Sequence, residues 1–191
     1  PVLNQLELIE IKGLKENNIN YMKIKKAYVA INKVRKKLNK NKSLIGFCGG
    51  PWTVACYMID GTSKKGFHRS LLWLRNEKKQ LLSLIDKLVE SSVNHLYNQY
   101  LMGCDTLMIF ESWAGLVNKE NQKEFIFEPA RKIRLMLREK GVNSPIIAYP
   151  RGLEKQVYEY DKYVKPDILS LDQNIDLKWA TNVFDKQKVL Q

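Results

Sequence analysis

Cysteine and histidine are scarce in this chain of 191 residues: Cys48, Cys56 and Cys104 are its three cysteines, His68 and His95 its two histidines. An odd number of cysteines with no C-x-x-C pair argues against a disulfide framework and suits a reducing, cytoplasmic compartment. Neither histidine stands at ligand spacing from another histidine or from a cysteine in a zinc pattern, so both are expected to be exposed or packed on helices, with no metal. No run of about 18 apolar residues occurs, which excludes a transmembrane helix. The opening PVLNQLELIEIK lacks the basic start and apolar stretch of a secretory signal. The glycine-rich turns G-x-G-x-x-G and G-x-x-x-x-G-K-S/T are absent, which removes the usual phosphate-binding signatures of an open doubly wound sheet. An initiator methionine is also absent, a first sign that the sequence starts mid-protein.

Acidic residues are missing from one region. Lys12 to Lys42 hold ten lysines, one arginine and the single acid Glu16, and so carry +10 of the net +12. The remaining 160 residues are near balance, with 21 basic and 19 acidic side chains. The excess lysine travels with asparagine (Asn17, Asn18, Asn20, Asn32, Asn39, Asn41), and both residues use A-rich codons, so an AT-rich genome accounts for the bias without a nucleic-acid ligand. No RNA- or DNA-binding motif with interleaved aromatics is present. A basic surface nonetheless concentrates polyanionic small molecules around it.

What is present is an alternation of helices and short apolar runs. Lys23 to Leu38 reads as an amphipathic helix with Ile24, Ala27, Tyr28, Ile31, Val34 and Leu38 on one stripe. A strand is expected over 44–49, then a helix from Pro51 to Ile59 and a loop over Gly61–Gly66. A long helical period runs from Leu81 to Tyr100, stopped at Gly103. Strands follow at Thr106–Phe110, Pro145–Tyr149, Ile168–Leu171 and Lys188–Leu190, with helices over Gln122–Lys140, Leu153–Tyr163 and Asp176–Phe184 between them. Apolar strands alternating with helices call for a parallel sheet with helices outside, and the strand spacing suits an α/β (β/α)8 TIM-type barrel. Polar residues at the C-terminal strand ends (Glu111, Ser112, Arg151, Asp172) stand where such barrels place their active sites. Five βα units do not close eight strands, so the chain reads as a single domain, the central part of a barrel whose flanking parts lie elsewhere.

Two stretches carry a family resemblance. Gly46, Phe47, Gly49, Pro51, Trp52, Thr53, Tyr57, Met58 and Gly61 fall on the pattern G-F-x-G-x-P-W/F-T-x-x-x-Y-M-x-x-G. Phe110, Glu111, Ser112, Ala114 and Gly115 fall on F-D/E-S-x-A-G, and Leu171-Asp172 followed by Val189-Leu190-Gln191 gives a weaker third match. These stretches resemble the uroporphyrinogen decarboxylase family, and the similarity runs along essentially the whole chain. Gly50 stands where Ala is commoner, read here as a mild change.

The resemblance implies loss of four acetate carboxyl groups from uroporphyrinogen III to give coproporphyrinogen III, with no cofactor and no metal. It implies that the family's pyrrole-facing carboxylate, its N-terminal arginines and its C-terminal histidine lie outside these residues, so no catalytic residue is expected in this chain. It assigns Tyr57 and Ser112 as hydroxyl contacts to substrate carboxylates, against core packing for Tyr57 and a helix N-cap for Ser112. Phe47 at a strand end and Gly49, leaving room for close backbone approach, are expected in the pocket. Arg151 in Y-P-R-G suits a carboxylate. Glu111 and Asp172 read as hydrogen-bonded structural acids. A homodimer is implied, acting on the small-molecule substrate with no nucleic acid and no membrane. Two other readings stand beside it: a zinc- and cobalamin-linked methyltransferase of the same superfamily, for which Cys48 is the one strand-end candidate ligand, and a basic nucleic-acid-binding module built on Lys12 to Lys42.

Overall fold

A computed structural model describes residues 21–191. The residues before them, including the N-terminal part of the lysine-rich region and the opening segment, lie outside the described part. Helix α1 spans Tyr21–Lys37, and strand β1 spans Ile45–Gly49. Helices α2 (Pro51–Asp60), α3 (His68–Asn76) and α4 (Lys78–Leu101) follow, then β2 (Thr106–Glu111). A helix from Lys119 continues as α5 (Lys119–Gln122), a π-turn at Lys123–Phe127, and α6 (Glu128–Glu139). The chain then runs through β3 (Ile146–Pro150), α7 (Val157–Val164), β4 (Ile168–Leu169), α8 (Leu177–Val183) and β5 (Val189–Leu190).

The five strands form one sheet in chain order, every neighbouring pair parallel. This is the arc of a (β/α) barrel expected from the alternating pattern. The last two strands are shorter than expected, yet pairing continues beyond them: Ser170 N–H donates to Ala148 O (2.9 Å) and Leu171 N–H to Gln191 O (2.8 Å). Helix α3 occupies residues with no clear apolar period. The π-turn has a local cause. Pro129 has no N–H for the carbonyl one turn back and its ring crowds that carbonyl, so the turn widens just before it.

Strand alternation sorts the side chains. In β1, Gly46 and Cys48 are buried towards the helices while Ile45 and Phe47 are exposed on the other face. Leu107, Ile109, Ile146, Val89, Val93 and Leu96 fill the layer between β1–β3 and the helices α4 and α6. A second cluster, centred on Trp52, Phe125 and Tyr160, packs α2, α3, α6 and α7 together. The stripe on α1 is narrower than its period indicated. Ile24, Tyr28, Ile31 and Leu38 are partly buried, whereas Ala27 and Val34 face solvent, because a helix resting on one neighbour buries less than half its circumference.

The N-terminal ends of the strands are tied by a repeated device. Asp105, just before β2, accepts from Leu44 N–H (2.7 Å) and pairs with Arg35 (2.6 Å). Asp167, just before β4, accepts from Ile146 N–H (2.7 Å) and pairs with Arg138 (2.5 Å). Each aspartate thus bridges two adjacent strands and the helix outside them. The opposite, C-terminal ends are left to the site.

Candidate active site

Two of the candidate residues, Ser112 and Arg151, stand in loops at the C-terminal ends of strands, whereas Phe47 and Gly49 belong to β1 and Tyr57 to α2. Ser112 follows β2 and Arg151 follows β3 directly. The two line one cleft of about 250 Å³ with Gly115, Gly152 and Asp172. Gly115 N–H donates to Arg151 O (3.0 Å), and Arg151 N–H donates to Glu111 O (3.1 Å), so the two loops are stitched together through their backbones. Asp172 is hydrogen-bonded, as expected: its carboxylate accepts from Gly152 N–H (2.6 Å) and Gln173 N–H (3.1 Å). Ser112 does not cap a helix. The 3₁₀ turn Ala114–Leu116 has Trp113 at its N-cap without a side-chain capping bond, and α5 begins only after Asn118.

Phe47 and Gly49 lie apart from that cleft, lining a separate hollow of about 410 Å³ with Tyr28, Cys48 and His95. Phe47 stands in the middle of β1, not at its end, and is 58% exposed on the face away from the helices. There it begins an aromatic row: Phe47 meets Phe110 edge to face at 5.7 Å, and Phe110 meets Tyr149 likewise at 6.1 Å. Sequence reasoning passed over Phe110 and Tyr149, although strand alternation puts both on the face opposite Ile109 and Ala148. Burial raises the Tyr149 hydroxyl, and the nearby Asp172 carboxylate raises it further, so it stays a neutral donor. Gly49 is constrained from the α2 side. A Cβ there would lie 2.9 Å from Val54 Cγ2, so its missing side chain makes room for α2.

Tyr57 sits on α2, 37% exposed. Its ring packs edge to face on Phe67 at 5.2 Å, and Phe67 in turn on Trp113 at 5.1 Å, next to Ser112. Phe67 is fully buried and left-handed, with φ 57° and ψ 41°. A bulky residue in that region costs about 1–3 kcal/mol, and such a backbone state leaves no mark in sequence.

Beneath these loops lies Glu111, 2% exposed at the end of β2. One carboxylate oxygen accepts from Thr53 N–H (2.7 Å) and the Thr53 hydroxyl (2.5 Å), the other from Trp52 N–H (3.3 Å). It is a structural acid, as expected. Burial raises its carboxyl to about 7, against the pull of those three donors. Gly50 is not a mild exchange for alanine: a Cβ there would stand 2.1 Å from Glu111 Oε2 and 3.0 Å from Glu111 Cα.

The cysteines are free and buried. Cys48 points to Ser92 on α4, and burial raises its thiol to about 12, so it is turned from the loops and poorly suited to bind as thiolate. His68 is exposed, and His95 packs against Tyr28, whose hydroxyl lies 2.9 Å from His95 Nδ1. No group of three metal-ligating side chains is found among the described residues.

Residues 1–191 match the family model for uroporphyrinogen decarboxylase throughout. The chain belongs to the uroporphyrinogen decarboxylase family. It is 38% identical over 190 residues to a uroporphyrinogen decarboxylase of Rickettsia felis, covering 97% of this chain and 54% of that protein. It is 39% identical over 170 residues to that of Orientia tsutsugamushi, covering 89% of this chain and 49% of the relative. The chain thus spans about half the length of the curated relatives it matches. Among solved structures, a methyltransferase from Methanosarcina mazei aligns with TM-score 0.69 at 19% identity, over 85% of this chain and 46% of that one. At that identity the likeness bears on the barrel fold alone.

Proposed function

We propose that this chain is the central part of a uroporphyrinogen decarboxylase barrel, working without metal or cofactor on uroporphyrinogen III. The observation that carries the reading is the match of all 191 residues to the family model, together with relatives of that name that align over up to 97% of the chain. The site geometry supports it. The row Phe47–Phe110–Tyr149 offers an apolar wall for a macrocycle, and Ser112 and Arg151 offer a hydroxyl and a guanidinium for its carboxylate arms. Tyr57 supplies a second hydroxyl from α2.

In this reading, protonation of a pyrrole carbon turns the ring into an electron sink. The bond between the acetate methylene and its carboxylate then breaks, its electron pair flows into the ring, and CO₂ leaves. A proton then adds at the methylene carbon to leave a methyl group, and the ring carbon gives back the proton it took up, which restores the pyrrole. The residues of this chain bind and orient the carboxylate arms, while the carboxylate that steadies the developing positive charge comes from flanking segments. Such preorganised charge stabilisation is commonly the largest single contribution to rate, so residues 1–191 alone should be inactive. An isolated arc also leaves two strand edges open. Free, buried cysteines fit a cytoplasmic setting, and the full-length enzyme is expected to be a homodimer that binds neither nucleic acid nor membrane. No helix among the described residues is long and apolar enough to cross a membrane.

The test is anaerobic incubation of the full-length protein with uroporphyrinogen III, followed by oxidation and chromatography of the porphyrins. Stepwise appearance of seven-, six-, five- and four-carboxyl products is expected. No turnover by a folded full-length protein would refute the reading.

A further inference from the structure

We propose that Glu111, Thr53 and Gly50 form a positioning clamp that fixes the hydroxyls of Tyr57 and Ser112 relative to each other; this rests on the functional reading above. Tyr57 and Ser112 belong to different elements, so holding both to one substrate requires α2 to keep its place against the end of β2. Glu111 does this from directly beside Ser112. Its carboxylate takes three donors from the first turn of α2: Trp52 N–H, Thr53 N–H and the Thr53 hydroxyl. These N–H groups have no partner within the helix, and a carboxylate complements the positive end of the helix dipole.

The clamp closes on the other side of Ser112 as well. Trp113 N–H donates to the same Thr53 hydroxyl oxygen (3.2 Å), and the Trp52 indole N–H donates to Trp113 O (3.0 Å). Ser112 is therefore held between two residues that both grip Thr53. Tyr57 lies four residues after Thr53, one turn along the same face of α2. Gly50 N–H donates to Phe110 O (2.8 Å), joining the same two elements at the level of the aromatic row.

Gly50 and Glu111 are also matched in size. Any Cβ at Gly50 would meet the Glu111 carboxylate at 2.1 Å and its Cα at 3.0 Å. The first contact could be relieved by withdrawing the carboxylate one methylene; the second requires a small backbone shift. An alanine here therefore belongs with an aspartate at 111, and a glycine with a glutamate.

The test uses the full-length enzyme with uroporphyrinogen. Thr53→Val removes the hydroxyl at constant shape and should lower kcat/KM by roughly tenfold to a hundredfold, the effect of a displacement of about an ångström at a site. Thr53→Ser, which keeps the hydroxyl, should return to near wild type. Gly50→Ala should be impaired, and the double variant Gly50→Ala/Glu111→Asp should recover most of that loss. The pH profile of Glu111→Gln should also depart from wild type, because the acid no longer ionises beneath α2. If Thr53→Val and Glu111→Gln lose thermal stability but keep wild-type kcat, KM and pH profile, the clamp is structural only and the inference fails. It fails equally if the double variant is no better than Gly50→Ala. Should the wild-type enzyme not turn over uroporphyrinogen, the functional reading falls; the clamp is then judged by whether Gly50 and Glu111 couple in a double-mutant cycle of thermal unfolding, and additive effects overturn it.

Discussion

Gly115→Ala isolates the seam between the two loops that carry Ser112 and Arg151. A Cβ at Gly115 would lie 2.6 Å from Gly152 O, 2.9 Å from Gly152 Cα and 3.0 Å from Gly152 C. All three are backbone atoms, so no rotamer change relieves the overlap and the loops must part. Overpacking of this kind costs about 1–3 kcal/mol. Parting also weakens the bond from Gly115 N–H to Arg151 O, adding about 1 kcal/mol. Together these give about 2–4 kcal/mol, or, for a full-length protein about twice as long as this chain, a fall in thermal midpoint of roughly 3–6 °C at about 1.4 °C per kcal/mol. Calorimetry of the full-length protein measures it, with Gly141→Ala as the control. Gly141 has φ +80° and nothing within 4 Å of its would-be Cβ, so that variant reports left-handed strain alone, about 1–2 kcal/mol. Because Ser112 and Arg151 share the cleft, KM for uroporphyrinogen should rise in Gly115→Ala and not in Gly141→Ala. A Gly115→Ala protein within about 1 kcal/mol of wild type, with unchanged KM, would refute the reasoning.

Tyr57→Phe and Ser112→Ala each remove one hydroxyl donor to a carboxylate, worth roughly 1.5–3 kcal/mol, and should lower kcat/KM by about one to two decades with the fold intact; wild-type kinetics in both would take these residues out of the site. Glu111 predicts a pH dependence of stability. Its folded-state value is raised from 4.5 to about 7, so its contribution is whole below the lower value and is lost as pH rises through the upper one, by at most about 3 kcal/mol. The thermal midpoint of wild type should therefore decline more between about pH 5 and pH 8 than that of Glu111→Gln; parallel declines would count against an acid raised by burial. Cys48 and Cys56, whose thiols are raised by burial, should resist alkylation at neutral pH until the protein unfolds, and rapid labelling of either in the native state would contradict the packing.

The barrel was legible because its strands are short apolar runs closed by glycine, proline or a polar residue. Such runs have the right length only for strands covered by helices. The positions of Ser112 and Arg151 were legible for a related reason: once a strand end is known, chain order places the next residue at the C-terminal end of the sheet, although the role of Ser112 comes from the family resemblance. Phe110 and Tyr149 could have been found by the same alternation that buries Ile109 and Ala148. Helix α1 shows the limit of periodicity, which draws a stripe without saying how wide a neighbour covers it, so Val34 was placed inside and is outside.

The remaining misses depend on distances between residues far apart in sequence. Gly49 leaves room for Val54 of α2, a contact that no local pattern in the sequence reveals. Gly50 read as a mild exchange because a propensity comparison sees one residue and its backbone. Its actual constraint is a carboxylate 61 positions away, whose size decides whether a methyl group fits. Glu111 could be read as a structural acid, but its partners could not: Thr53 is 58 positions distant, and only the fold brings the first turn of α2 over the end of β2. The two best-marked stretches of this sequence are therefore one physical unit. The first supplies the N–H groups, the hydroxyl and the missing side chain, and the second supplies the acid that uses all three. That mutual dependence gives a physical reason for both patterns to occur together in one chain, and it is the Gly50–Glu111 pair, more than any single residue, on which that reason can be tested.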